Sequence, residues 1–218
     1  MKVRFQEFSP RKFSFHNDPV LVLEEFWTPQ EQALFQEAMT RTKWKALSEM
    51  PEVSRAFPSC GNWLKGEIGQ EDMGVFRDKM TLSCIAEYIE SFPNITQRHL
   101  SFSYYSYGAG DCLSTHNDTD EAYSRDRQPY RALRRLALVT YVHTEWESDW
   151  GGELIIYNAR QNKQGKQVLD VTHCIPPQPR SLALFTVPRF HRVCRVDDLA
   201  GPQRRLSIAG WFMTQHDT

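Results

Sequence analysis

Apolar positions in the first half of the chain recur at helical spacing, and those in the second half alternate. Thr28, Pro29 and Glu31 have the form of an N-cap, a proline at the first helical position and a capping-box acid. Behind them Leu34, Phe35, Ala38 and Met39 share one face, so the pattern predicts a helix from Pro29 to Leu47. A second helix is predicted from Gln70 to Phe92, with Met73, Phe76, Met80, Cys84 and Tyr88 on its apolar face and Pro93 as its stop. Between the two, Pro51 to Gly69 reads as an irregular loop. From His99 onward the pattern predicts strands at His99–Tyr107, Leu136–Val142, Glu153–Tyr157, Gln167–His173, Ser181–Val187 and Arg205–Phe212. Gly, Pro, Asn and Asp separate them, as turns require. Short strands in series predict a mainly β sandwich or barrel with flanking helices, an α+β chain. No repeat or linker interrupts the sequence. The expectation is one domain over residues 1–218, with a helical supporting part at 1–98 and a β core at 99–214.

Composition narrows the class without naming a function. The 218 residues are 40% hydrophobic and 24% charged, enough to bury a core without disulfides or a structural metal. A formal net charge of -1 gives no global field for nucleic acid or an acidic membrane, so neither is expected as a partner. The five cysteines are scattered and form no C-x-x-C pair, which suits a reduced chain rather than a disulfide framework or zinc finger. Met1 to Pro10 has no apolar h-region, and no run approaches the roughly 18 apolar residues of a membrane span. These features predict a cytoplasmic enzyme or binding protein. Oligomeric state leaves no trace in the sequence.

The sharpest chemical feature is His116-Asn117-Asp118. On an extended segment, residues two apart point to the same side, so the imidazole and the carboxylate can share one metal. His191, on the strand-like segment Arg189 to Val196, can supply a third ligand. Two histidines and one carboxylate on one face of an octahedron leave the opposite positions open, as in non-haem iron(II) oxygenases. Structural zinc sites are closed and richer in cysteine. By itself the tripeptide equally fits a turn in which His116 caps and Asp118 begins the next bend.

The ordered context decides between these readings. Tyr107-Gly-Ala-Gly-Asp-Cys-Leu-Ser-Thr-His116-Asn-Asp118 resembles the tyrosine–glycine run into H-x-D of the 2-oxoglutarate/iron(II) oxygenase superfamily, in its prolyl 4-hydroxylase-like branch. Trp150-Gly151-Gly152-Glu153-Leu154 is similar to that family's G-G-E-L turn. Pro188-Arg-Phe-His191-Arg-Val193, with Phe185 before it, resembles the distal-histidine strand, and Arg205-Leu-Ser207-Ile-Ala-Gly-Trp211 the R-x-S strand with its tryptophan. The resemblance covers residues 101 to 212. It implies a double-stranded β-helix core of jelly-roll, cupin-like form, with iron(II) on His116, Asp118 and His191. The implied cosubstrates are 2-oxoglutarate and O2, the coproducts succinate and CO2, with ascorbate as an accessory reductant. Arg205 supplies a permanently charged fork for the cosubstrate's distal carboxylate, whereas Arg204 points to the other face. Ser207 adds a hydroxyl on the same face, Tyr141 falls where related enzymes place a tyrosine on this carboxylate, and Tyr107 can line the same pocket, although core packing explains both tyrosines nearly as well. Related halogenases carry a small residue in place of the carboxylate, so an intact Asp118 implies hydroxylation or desaturation.

Substrate choice is less sharply written. The basic stretch after H-x-D suggests that Arg125, Arg127 or Arg131 holds an anionic group, although a solvated charged loop fits as well. Arg55 to Trp63 is a second candidate lid. Modest length and the lack of an appended recognition region favour hydroxylation of an unactivated C–H bond in a small molecule, such as an amino acid or derivative. The alternatives are a protein prolyl (or other residue) hydroxylase acting on a polypeptide, and a non-oxygenase cupin-like metal-binding protein. Against the last, Asp118 stands where the cupin pattern wants a second histidine.

Overall fold

The computed structural model describes residues 1–3, 20–92, 95–118 and 133–214. Two antiparallel sheets face each other. The larger draws on β1 (Lys2–Val3), β2 (Leu21–Glu24), β3 (Trp44–Ala46), β4 (Leu64–Glu67), β5 (Ile95–Tyr107), β7 (Leu133–Tyr141), β10 (Leu182–Thr186) and β12 (Arg205–Thr214). Its order is β1-β2-β10-β7-β12-β5-β4-β3. The smaller holds β6 (Leu113–His116), β8 (Leu154–Gln161), β9 (Gln167–Ile175) and β11 (His191–Val193), in the order β6-β11-β8-β9. This is the sandwich of a double-stranded β-helix, mainly β with helices outside. Every strand predicted from the alternation is present, with ends moved by a few residues. The N-terminal part is not helical alone, because β1 to β4 extend the larger sheet at both edges.

Alternation along the central strands explains the layering. On β7, Ala137, Val139 and Tyr141 face the smaller sheet and meet Leu154, Ile156 and Ile175. Leu136 and Leu138 face the other way, into a second apolar layer with Leu182, Leu184, Ile208 and Phe212. The helices α1 (Pro29–Arg41), α3 (Gln70–Met80) and α4 (Ser83–Glu90) cover that layer through Phe35, Met39, Phe76, Ile85 and Tyr88. Both faces of the sheet are therefore buried, which keeps the sandwich walls at fixed separation.

Two helical expectations and one loop need correction. The capping box at Thr28 and Glu31 forms as predicted, but α1 ends at Arg41 rather than Leu47. Thr42 bonds the Ala38 carbonyl, the Trp44 indole bonds the Met39 carbonyl, and Trp44–Ala46 leaves the helix to pair with β4. The predicted helix at 70–92 is two helices. Thr81 turns its hydroxyl onto the Asp78 carbonyl, and Leu82 adopts extended dihedrals that start α4. The stretch read as a loop contains α2 (Pro51–Ala56) and β4. Helix α2 buries no residue, so it leaves no apolar period to read.

Candidate metal and cosubstrate site

His116 ends β6 and His191 begins β11, and the two strands pair with these residues opposite each other. Their rings stand 4.2 Å apart between centroids. Asp118 completes a cluster whose ligand atoms all lie within 4.8 Å of one another. Its Oδ1 is 3.3 Å from His116 Nε2 and its Oδ2 is 3.3 Å from His191 Nε2. Asp118 does not reach this place by strand parity. It lies beyond the end of β6 with φ of +58°, in left-handed conformation, and turns back toward the histidines.

Each histidine is prepared for a metal in the same way. His116 Nδ1 lies 2.7 Å from the Ser114 carbonyl and His191 Nδ1 lies 2.7 Å from the Arg189 carbonyl. A carbonyl only accepts, so Nδ1 of each ring carries a proton, and Nε2, the nitrogen turned to Asp118, is the one a cation would take. Burial raises the Asp118 carboxyl, but the two imidazoles outweigh it and hold the group well below the usual carboxylate range. A carboxylate flanked by two imidazole nitrogens, with the Ser114 and Arg189 carbonyls holding both rings in place, is a donor set for a divalent cation. Phe57 sets its edge on His116 at 5.1 Å, which puts the candidate lid at 55–63 against the site. Arg125, Arg127 and Arg131 lie outside the described residues.

The candidate cosubstrate residues gather on one face of the larger sheet. Arg205 is 1 % exposed, with its guanidinium over the Tyr141 and Tyr107 rings and one hydrogen bond, 3.1 Å, to the Tyr141 hydroxyl. Across the sheet Tyr107 stands opposite Arg205, and Ser207 opposite Tyr141, so all four share one face. Ser207 is buried with them. Burial pushes both tyrosine hydroxyls up despite the nearby guanidinium, so they remain protonated donors. Among the described residues no carboxylate pairs with Arg205, and its buried Nε has no hydrogen-bond partner. An unpaired buried guanidinium is costly unless a ligand supplies the anion. A dicarboxylate is such a ligand, so the residues present fit 2-oxoglutarate. Arg204 points outward, as parity requires, and bonds Ser106.

Sequence reading undervalued three residues. Gly152 served only as a landmark, yet a Cβ there would sit 2.9 Å from Arg205 Cδ, so its bareness makes room for the arginine. Its φ of +75° also favours glycine. Trp211 was likewise only a landmark, but its Nε1–H donates to Asp118 Oδ2 at 2.7 Å. Its parity with Arg205 and Ser207 on β12 was the available signal. Arg134 was passed over within a run of basic residues, and it stacks on Trp211.

The family model for the 2OG-Fe(II) oxygenase superfamily matches residues 101–213, just over half of the chain. The chain belongs to this superfamily. The reaction of that superfamily uses iron(II), 2-oxoglutarate and oxygen, the cluster of His116, Asp118 and His191 has the residues to hold the iron, and the cupin-like alternative falls away. Prolyl 3-hydroxylase OGFOD1 of Mus musculus is 32% identical over 108 residues, which are 49% of this chain and 17% of the mouse protein. The oxygenase fold extends beyond the matched residues. A Pseudomonas putida prolyl-4-hydroxylase superposes with TM-score 0.58 at 18% identity, covering 90% of this chain and 93% of that one. A Trichoplax adhaerens prolyl hydroxylase, solved with a hypoxia inducible factor peptide fragment, gives TM-score 0.52 at 19% identity, covering 89% and 83%. Among the described residues no helix is long and apolar enough to cross a membrane.

Proposed function

We propose that this oxygenase hydroxylates a prolyl residue within a polypeptide. The observation that carries the reading is the likeness to the mouse prolyl 3-hydroxylase, at an identity well above that of the fold neighbours. The surroundings of the metal cluster agree. Phe57, on the candidate lid, sets an aromatic ring against His116, and an aromatic neighbour suits an apolar pyrrolidine ring. The small-molecule expectation rested on modest length, location and the lack of an appended recognition region, and among the described residues nothing at the cluster favours it.

In this reading His116, Asp118 and His191 hold iron(II). The metal supplies oxygen activation coupled to decarboxylation of 2-oxoglutarate, giving succinate and carbon dioxide. The protein's own residues do the positioning. Arg205 binds the distal carboxylate as a charge-assisted fork, and Tyr141 and Ser207 add hydroxyl donors beside it. Tyr107, stacked on Trp63 at 5.5 Å between centroids, closes that end against water. Desolvation there strengthens the pairing of arginine and carboxylate. The tautomer locks at Ser114 and Arg189 keep both imidazoles turned to the metal without reorganisation.

The test is turnover on two substrate panels, proline-containing polypeptides and free amino acids, with succinate release measured and isotopically heavy oxygen traced by mass spectrometry. The proposal expects one heavy oxygen atom on a prolyl residue of a polypeptide. Incorporation into free amino acids, with every polypeptide inert, would return the small-molecule reading.

A further inference from the structure

We propose that Trp211, held by Arg134, is a positioning residue that fixes how Asp118 presents itself to the metal. The inference rests on the metal-site reading above and concerns one of its ligands. Asp118 lies past the last paired residue of β6, in left-handed conformation, so no ladder hydrogen bond sets its direction. Its side chain is nevertheless 7% exposed and tightly placed. The anchor is the indole of Trp211, reaching from β12 in the opposite sheet to donate to Oδ2 at 2.7 Å. That bond occupies one carboxylate oxygen. Oδ1, beside His116, is left as the oxygen with more electron density to offer a cation.

Arg134 completes the arrangement. Its guanidinium carbon lies 3.7 Å from the centre of the Trp211 ring, a close stack of a cation on a π face. Such a stack holds the indole plane and withdraws charge from it, which makes the N–H a better donor. The same guanidinium has Nη1 at 3.9 Å from Asp118 Oδ1, too long for a good hydrogen bond, so its main contact here is the indole face. Arg134 and Trp211 come from neighbouring strands, β7 and β12, offset by a bulge between Phe212 and Met213. Without the bulge Met213 would pair with Arg135; the shift pairs it with Arg134 and so puts Arg134 on the face that Trp211 occupies. The strand that carries Arg205 thus also carries the anchor for the metal carboxylate, six residues away.

Merely structural packing would leave metal chemistry untouched when an aromatic ring is kept at position 211, the fold is intact and the N–H donor is removed. The experiment titrates metal-free protein with cobalt(II), a spectroscopic probe that needs no turnover, and reads both affinity and the visible cobalt spectrum. Trp211→Phe, Arg134→Gln and the double variant are compared, with far-UV circular dichroism confirming the fold. The proposal expects Trp211→Phe to weaken cobalt(II) binding by about ten- to a hundredfold and to change the spectrum, as loss of an outer-shell partner does. Arg134→Gln is expected to act in the same direction and to add little when combined with Trp211→Phe, since both act through one hydrogen bond. A folded Trp211→Phe variant with wild-type affinity and spectrum would overturn the proposal. Should that variant not fold, Arg134→Gln with unchanged affinity and spectrum would overturn it equally. Failure of the wild-type protein to bind cobalt(II) would instead remove the metal-site reading on which the inference stands.

Discussion

Arg205→Met separates the binding role of this arginine from any role in folding. The guanidinium is 1 % exposed, has one hydrogen bond, to Tyr141, and faces no carboxylate among the described residues. Replacing buried charge by an apolar side chain of similar length is often neutral or stabilising by about 1–4 kcal/mol, so the ligand-free variant is expected to melt at or above the wild type. 2-Oxoglutarate reverses the comparison. At a hundred times its dissociation constant a ligand stabilises the folded state by about 2.7 kcal/mol. For a chain of this size that corresponds to a rise in Tm of about 5–10 °C. Removing one partner of a buried charge pair costs at least about 2 kcal/mol, a thirtyfold weaker affinity. At the same ligand concentration the variant then gains only about 0.9 kcal/mol, or about 2–3.5 °C. The assay is thermal unfolding of manganese(II)-loaded protein with and without 2-oxoglutarate, so that no turnover consumes the ligand. A full wild-type shift in Arg205→Met, or a ligand-free variant melting far below wild type, would refute the assignment.

Further expectations follow from neighbouring residues. His143 is buried between the Pro177 and Leu206 carbonyls, and burial pushes its pKa down to about 4. The unfolded chain therefore binds more protons between pH 4 and 6.5; stability is full above that window and lost as pH falls through it, by up to about 3 kcal/mol. His143→Gln is expected to flatten urea-unfolding stability across this window, and an unchanged slope would assign the dependence to other groups. Gly152→Ala puts a methyl group against Arg205 at positive φ; about 1–3 kcal/mol of strain is expected, read as a raised KM for 2-oxoglutarate, and an unchanged KM would contradict the packing described. Trp27 is fully buried and donates to Thr140 at 2.7 Å, so Trp27→Phe is expected to cost about 1–3 kcal/mol with an unchanged denaturant slope. A loss below about 0.5 kcal/mol would show the bond to be dispensable.

The strands and the metal cluster were legible because both are written in local order. Alternation marked β7, β10 and β12, and H-x-D with a distal histidine marked His116, Asp118 and His191, which the fold brings together. What escaped depends on partners distant in sequence. Trp44–Ala46 leaves the helical pattern because β4 pairs with it, and no residue near Trp44 announces β4. Thr81 and Leu82 divide a helix whose apolar face is nearly continuous, because a side-chain bond to Asp78 competes with the helix backbone there. Asp118 was assigned the right neighbours by the wrong route, since pleat parity does not operate past the end of β6. Trp211 and Arg134 acquire meaning only when β7, β12 and the residue after β6 meet in space.

The central claim is that this chain binds iron(II) and 2-oxoglutarate together through two walls of one site. The most direct measurement is an anaerobic optical titration of metal-free protein with iron(II) and 2-oxoglutarate, repeated with His116→Ala and Arg205→Met. The account predicts a weak visible charge-transfer band that needs both additions in the wild type, is absent in His116→Ala, and in Arg205→Met appears only at much higher 2-oxoglutarate. No band in folded wild-type protein, or a band indifferent to both substitutions, would contradict it.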